Sequence, residues 1–157
     1  MPALPIPITP EDPESPDAVA CLRSYFALLV ERVPGIDPAH VPLPDPEAAS
    51  YRPPKGVFLI ARAGTSALGC VSLKPVDPKL GEVKRLWVAP AARGRGLARR
   101  LMAEVETFAR TAGMTGLRLD TNKALTEAIA LYRATGWEPT TPFTKAFPAT
   151  DWFAKHL

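Results

Sequence analysis

Residues 82–98 have the sequence EVKRLWVAPAARGRGLA, which combines a strand, a proline stop and a glycine-rich turn. After the turn, apolar residues recur at helical spacing: Leu97, Leu101, Val105, Phe108 and Ala112. A helix N-terminus presents backbone N–H groups that lack intrahelical partners, and it carries the positive end of the helix dipole. Because glycines let an anion approach the backbone closely, this turn predicts a phosphate or pyrophosphate site.

Three phosphate-binding patterns compete for this turn. A Walker loop needs a Lys and a Ser or Thr after its second glycine, and neither follows Gly96. A dinucleotide fingerprint needs a third glycine where this chain has Arg99, whose bulk would separate the helix from the strand. The third pattern, Arg/Gln-x-x-Gly-x-Gly/Ala, is matched by Arg93, Gly96 and Ala98. Taken alone, the match also suits an ordinary helix start that carries solvated arginines.

A second motif follows at the expected distance. Residues 116–120 alternate apolar and polar side chains as a strand does, and residues 126–137, TEAIALYRATGW, form a short helix that ends at glycine. In this order the two motifs resemble those of the GNAT superfamily of acetyl-CoA-dependent N-acyltransferases. The resemblance covers residues 57–137, and a looser similarity to small bacterial members of unassigned substrate extends to the C-terminus.

The resemblance implies acetyl-CoA as co-substrate, with its pyrophosphate held on turn amides without a metal. The pantetheine arm would pair with the backbone of the strand before the turn, where a bulge leaves amides unpaired and one amide can polarise the thioester carbonyl. Many members have Asn seven residues before the helix tyrosine, where this chain has Leu125, and Asn122 would either replace that contact or cap the helix. The expected cofactor-binding residues are Leu86, Trp87, Val88, Arg93, Gly94, Arg95, Gly96, Leu97, Ala98 and Asn122.

The resemblance also suggests two catalytic residues, Glu82 and Tyr132. Glu82 lies eleven residues before Arg93, at the position of the base in histone-acetylating members. The alternative is a solvated carboxylate paired with Lys84 or Arg85. Tyr132 occupies the position of the tyrosine that protonates the leaving thiolate, and the alternative is a core tyrosine on an amphipathic helix. A water chain could also serve as the base, since an alkylamine with a pKa near 10 must lose a proton.

The order of elements predicts an α/β (α+β) fold of the GNAT type, with a mixed, mostly antiparallel sheet flanked by helices. We expect an edge strand near residues 4–8, a helix from Ser15 to about Arg32 and a hairpin over residues 57–73. A loop through residues 75–78 should precede the strand that carries Glu82. We treat residues 1–157 as one N-acetyltransferase domain, in which residues 1–56 form a variable part on the acceptor side.

Composition excludes several classes of function. The formal net charge is +3, and the arginines around the turn could bind nucleic acid, but no aromatic residues lie among them for base stacking. No apolar run reaches the length of a membrane span, and the N-terminus lacks the pattern of a secretory signal. With two histidines and two cysteines, a metal site is not expected. Cys21 and Cys70 suit a reducing cytoplasm.

The sequence therefore predicts a cytoplasmic N-acetyltransferase that acts by direct transfer to an amine of a small molecule or protein. The acceptor stays open, and so does homodimer formation. An alternative from another class is a non-catalytic acyl-CoA-binding or regulatory module, which needs the turn but neither Glu82 nor Tyr132.

Overall fold

The protein is described here by a computed structural model covering residues 5–157. Its helices and strands follow the predicted order and form a seven-stranded sheet with the order β1-β2-β3-β4-β5-β7-β6. The elements are β1 (Ile8–Pro10), α1 (Pro16–Arg32), β2 (Val57–Ala63), β3 (Ser66–Asp77), β4 (Leu80–Val88), α2 (Leu97–Thr111), β5 (Gly116–Thr121), α3 (Thr126–Ala134), β6 (Glu138–Pro139) and β7 (Asp151–His156). Short 3₁₀ helices occupy Pro38–His40, Ala48–Tyr51 and Pro90–Ala92.

Only the β4–β5 pair is parallel, and every other neighbouring pair in this sheet is antiparallel. The parallel pair requires a crossover, which α2 supplies. One face of the sheet packs against α2 and α3 through residues such as Leu101, Val105 and Tyr132. The other face packs against α1 through Leu22 and Phe26. The predicted mixed, mostly antiparallel fold is therefore confirmed.

The first helix begins as the sequence predicts. Ser15 is its N-cap, and the Ser15 side chain accepts a hydrogen bond from the backbone N–H of Ala18. Pro16 occupies the first turn, where the absence of an N–H costs nothing. The apolar side of the helix, including Leu22, Phe26 and Leu29, is buried against the sheet, so the predicted span to Arg32 is confirmed.

Two predicted boundaries are wrong. The predicted loop at residues 75–78 is mostly strand, because β3 runs to Asp77 and pairs with β4 until the chain turns at residues 78–79. The Asp77 carboxylate accepts hydrogen bonds from the N–H groups of Lys79 and Leu80 at 2.7 and 2.8 Å, which stabilises this tight turn. Pro75 is tolerated because β2 pairs with β3 only as far as Leu73, so the missing N–H breaks no ladder bond on that side.

The second wrong boundary is the N-terminal edge strand. It lies at Ile8–Pro10 and pairs with β2, not at the expected residues 4–8. Leu4, at the start of the expected range, is outside the residues that the structure describes. Pro10 ends the strand at the sheet edge, the position at which a sheet tolerates proline.

Candidate active site

Strand β4 contains a bulge in the middle of the site. Cys70 pairs with Trp87 and Ser72 pairs with Lys84, so one residue of β3 faces two residues of β4, Arg85 and Leu86. Arg85 adopts a φ of 63°, the one positive φ that a non-glycine residue adopts in residues 5–157. A left-handed backbone at a residue with a Cβ costs on the order of 1–2 kcal/mol, so neighbouring groups must hold it.

Side chains of β3 satisfy the carbonyls that the bulge displaces. The Ser72 hydroxyl donates to the carbonyl oxygen of Lys84 at 2.8 Å, and the Cys70 thiol donates to that of Arg85 at 3.2 Å. The Arg85 side chain is also fixed, because its Nε lies 3.0 Å from Oδ2 of Asp45, whose side chain is fully buried. These contacts stabilise the bulge through its backbone carbonyls and through the side chain of Arg85.

Strand β4 separates from β5 after Glu82, ahead of the bulge. The ladder between them contains only three pairs, from Leu80 opposite Gly116 to Glu82 opposite Arg118. The remaining residues of β4, through Val88, have no β5 partner. The two strands therefore leave a gap in which the backbone edge of β4 is free to pair with an extended ligand.

The glycine-rich turn lies at the end of this gap. Gly94 and Gly96 have φ values of 79° and 75°, and space around the position of a Cβ is open at both. Gly96 is the N-cap of α2. Because glycine has no side chain that could accept a hydrogen bond, the first backbone N–H groups of the helix have no capping partner at this position. Arg93, Arg95, Arg99 and Arg100 form no ion pair with any residue among 5–157, and Arg93 and Arg99 line the same cleft as Gly94 and Gly96.

A cleft of about 320 Å³ joins the turn to the strand gap. Its other walls come from α1 and α3, which the Arg32–Glu127 ion pair connects at 2.7 Å. Of the ten residues predicted to bind the cofactor, Arg95 and Asn122 do not line this cleft. The predicted residues that do line it are Leu86, Trp87, Val88, Arg93, Gly94, Gly96, Leu97 and Ala98.

A larger cavity of about 480 Å³ adjoins the cleft, and Tyr25 and Leu125 line both. Its walls come from α1, from residues 35–42, from the loop before β7 and from the parts of β4 and β5 that follow their short ladder. Most of its lining is apolar, including Phe26, Leu29 and Phe147. A molecule in the larger cavity can thus meet one in the cleft at Tyr25 and Leu125.

Glu82 is buried, with 3% of its surface exposed, and it is held by cations. Its Oε1 accepts a hydrogen bond from Nε of Arg118 at 2.9 Å, and its Oε2 lies 3.6 Å from Nζ of Lys84. The pairing with Lys84 was expected for a structural carboxylate, but the bond to Arg118 was not. Glu82 lines neither cavity, and its role as the base stays a prediction.

Tyr132 is buried on α3, with its ring 6.0 Å from that of Trp137 and 5.9 Å from that of Phe153. Burial raises the pKa of its hydroxyl, and the negative charge of Asp120 raises that pKa further. The hydroxyl therefore stays protonated at neutral pH and is available as a donor. Tyr132, like Glu82, lines neither cavity, although Ala128 and Leu131 of the same helix line the cleft. Its role as the acid stays a prediction.

Asn122 lines the larger cavity and has both ends of its side chain occupied. Oδ1 accepts from the N–H of Ala124 at 2.8 Å, while Nδ2 donates to the carbonyl of Pro148 at 2.6 Å. These bonds organise the start of α3 and attach it to the loop before β7. The N-cap of α3 is Leu125 and no side chain caps it, so the predicted capping role of Asn122 is wrong, and its pantetheine contact stays a prediction.

The sequence analysis missed three residues that shape the larger cavity. Asp45 and Glu47 come from the proline-rich segment, where nothing in the local pattern indicates that they hold Arg85 and Lys84 of β4. Asp120 belongs to the predicted alternating strand, and the alternation does place it on the face opposite Leu119. That this face opens into a cavity could not be predicted, because it depends on where β4 and β5 separate.

Glu47 makes stability depend on acid pH. Burial opposes its ionisation, but hydrogen bonds from Lys74 and Lys84 outweigh burial and lower its pKa to about 2. Because an unfolded Glu titrates near 4.3, this carboxylate stabilises the fold above that pH, and its contribution disappears as pH falls toward 2. We expect the free energy of unfolding of Glu47→Gln to lie below that of the wild type at pH 6 and to approach it at pH 2.5. Urea titrations at both pH values measure this, and a difference that does not change with pH would contradict it.

Across residues 5–157, no helix combines the length and the apolar character that crossing a bilayer requires. Within the same residues, no group of three or more His, Cys, Asp or Glu side chains is arranged to hold a metal ion.

Several known proteins are similar to this chain. An "IAA acetyltransferase" of Azospirillum brasilense is 40% identical over 87 residues, which is 55% of this chain and 57% of that protein. An uncharacterized N-acetyltransferase of Schizosaccharomyces pombe is 40% identical over 96 residues, 59% of this chain and 58% of that protein. The chain thus spans just over half the length of these curated relatives.

Solved structures share the fold along nearly the whole chain. A GNAT-family acetyltransferase of Staphylococcus aureus has a TM-score of 0.81 at 17% identity. The superposition covers 97% of this chain and 99% of that one. A GNAT-family acetyltransferase of Elizabethkingia anophelis, crystallised with acetyl-CoA bound, has a TM-score of 0.72 at 20% identity, covering 97% of this chain and 98% of that one. The model of the acetyltransferase (GNAT) family matches residues 24–137. This chain belongs to the GNAT family of acetyltransferases.

Proposed function

We propose that this protein transfers an acetyl group from acetyl-CoA to an amine by direct attack. The observation that carries the proposal is the gap between β4 and β5, which connects the glycine-rich turn to the larger cavity. The turn would hold the pyrophosphate on its amides and arginines. The pantetheine arm would then pair along Leu86–Val88 and bring the thioester to Tyr25 and Leu125, where the two cavities meet.

In this proposal the charge that develops on the thioester oxygen is stabilised by a free amide of β4. Tyr132 would donate a proton to the leaving thiolate. This role is supported by a hydroxyl that burial keeps protonated and by its helix, whose Ala128 and Leu131 line the cleft. We further propose a cytoplasmic setting, supported by Cys21 and Cys70, which are buried free thiols. The proposal requires no metal.

The first test is cofactor binding. Acetyl-CoA should raise the melting temperature without added metal, because a ligand that binds only the folded state stabilises it by mass action. At one hundred times Kd the gain is about 2.7 kcal/mol, which corresponds to roughly 5–10 °C for a chain of this size. ATP and NAD serve as matched anionic controls. No shift with acetyl-CoA, together with a shift for ATP or NAD, would contradict the assignment.

The second part of the test separates catalysis from binding alone. A panel of amines is incubated with acetyl-CoA, and free thiol is measured over time. Release that depends on both the amine and the protein supports an acetyltransferase. A protein that binds acetyl-CoA tightly and releases thiol with none of the amines would instead support a non-catalytic acyl-CoA-binding module. Binding of DNA or RNA that weakens steeply with salt and ignores acetyl-CoA would favour a nucleic-acid function.

A further inference from the structure

We propose that the Asp120 carboxylate holds the amine of the acceptor and receives its proton, and that the acceptor is a primary amine with an apolar, aromatic-sized body. This inference rests on the proposed function, because it names the groups that would present the amine to acetyl-CoA. It assigns to Asp120 the role that the sequence suggested for Glu82.

The position of Asp120 supports this role. Arg118 and Asp120 lie on the same face of β5, and Arg118 is the last β5 residue that pairs with β4. Asp120 is two residues further along, about 7 Å beyond the point at which the strands separate. Its carboxylate therefore borders the gap and lines the larger cavity, whereas Glu82 lies behind it and lines neither cavity.

The hydrogen bonds of Asp120 orient it without neutralising it. The Thr144 hydroxyl donates to Oδ2 at 3.1 Å and itself accepts a hydrogen bond from the Trp152 indole N–H at 3.0 Å. Asp120 forms no ion pair with any side chain among residues 5–157. Oδ1 thus stays available to a substrate, while Thr144 is a positioning residue that acts through Asp120.

The other charges of the cavity are already matched. Lys84 pairs with Glu47 at 2.7 Å, Arg85 with Asp45 at 3.0 Å and Asp37 with His40 at 2.7 Å. The charge of Asp120 also reaches the hydroxyls of Tyr25 and Tyr132, while Arg118, on the same face of β5, is bonded to Glu82. Asp37 is exposed at the edge of the cavity, whereas Asp120 is half-buried in the mostly apolar lining and has no partner cation in the described part of the chain, an arrangement that favours an amine attached to an apolar body.

The chemical step balances as follows. The acceptor binds beside Asp120 as an ammonium and gives one proton to that carboxylate, which passes the proton to solvent. The neutral amine nitrogen then forms a bond to the thioester carbon while the carbonyl π electrons move to oxygen. The nitrogen of this intermediate loses its proton to Asp120, the oxygen lone pair reforms the carbonyl, and the C–S bond breaks. The thiolate takes a proton from the Tyr132 hydroxyl, and exchange with solvent restores the carboxylate and the phenol. The products are the amide and CoA.

The acceptor class is tested with 2-phenylethylamine, phenylalanine and spermidine as probes. We expect the wild type to use 2-phenylethylamine with a kcat/KM at least about tenfold above that for either of the others. Phenylalanine carries a carboxylate beside its amine, which the Asp120 carboxylate would repel. Spermidine carries additional cations and has no apolar body. Failure of the wild type to acetylate 2-phenylethylamine, or a preference for spermidine or phenylalanine, would overturn the acceptor assignment. Failure to bind acetyl-CoA would instead overturn the proposed function.

The role of Asp120 is tested with Asp120→Asn, in which the amide oxygen can still accept from Thr144. We expect kcat with 2-phenylethylamine to fall about 100-fold near pH 7 and to recover in part at high pH, where free amine is abundant, while acetyl-CoA affinity stays unchanged. Asp151→Asn removes the same charge from the neighbouring strand, outside both cavities, and should leave kcat unchanged. Thr144→Val should lower kcat about fivefold, and Thr144→Ser should restore it. An unchanged pH–rate profile in Asp120→Asn, or a loss of that profile in Glu82→Gln instead, would overturn the assignment.

Discussion

Gly96→Glu is expected to weaken CoA binding by at least about 100-fold, equivalent to about 2.7 kcal/mol. The space beside this glycine is open, so the new side chain enters the mouth of the cleft without a clash. It places a carboxylate at the helix N-terminus, where the proposed site receives the pyrophosphate, and the two anions exclude each other. Isothermal titration with CoA measures the loss.

Two further variants separate the charge from the backbone strain. Gly96→Ala imposes the cost of a left-handed residue, about 1 kcal/mol, without a carboxylate, so it should retain most of the affinity. Gly64→Glu introduces the same residue at a φ of 61° in an open hairpin turn and should bind CoA as the wild type does. If Gly96→Glu binds CoA with unchanged affinity, the turn is not the phosphate site.

Tyr132→Phe should lower turnover about 100-fold or more, while CoA affinity changes little. The substitution retains the ring that packs beside Trp137 and Phe153, so the core is preserved. It removes the hydroxyl that we assign to the leaving thiolate. Single-turnover kinetics with saturating acetyl-CoA isolate the chemical step from product release.

Tyr51→Phe is the matched control for that variant. Tyr51 is also buried, and its hydroxyl lies 3.5 Å from carboxylate oxygens of Asp45 and Glu47, away from the proposed chemistry. We expect a small loss of stability and no loss of turnover. If Tyr132→Phe retains wild-type turnover when chemistry limits the rate, Tyr132 is a packing residue alone.

The elements that the sequence predicts well are those specified by local chemistry. Ser15 followed by Pro16 and by apolar residues at helical spacing predicts a helix start, and the structure confirms this start. The glycine-rich turn is equally local, since two positive φ values and a helix start need no distant partner. The extension of β3 through Pro75 was missed because proline usually ends a strand. Here the absence of a β2 neighbour removes that constraint.

The site was less predictable, because it depends on distances between strands. Glu82 and Asp120 are both acidic residues on strands, and the sequence alone does not tell which one faces a cavity. Pairing of Glu82 with Arg118 and separation of the strands beyond that pair decide the question, and both depend on the register of β4 against β5. The left-handed Arg85 is unpredictable for the same reason, since its support comes from Asp45, forty residues away in the chain.

That support has a consequence for exchanging substrate specificity between relatives. The segment carrying Asp45 and Glu47 contributes to the acceptor cavity region and also fixes the strand along which we place the cofactor. Acceptor choice and cofactor geometry are therefore not modular in this chain. A chimera that replaces residues 34–56 would leave the Arg85 guanidinium buried without a counterion, a defect that costs roughly 3–5 kcal/mol for a buried pair. A successful transplant must bring an acidic residue to the position of Asp45, whatever acceptor it is chosen to recognise.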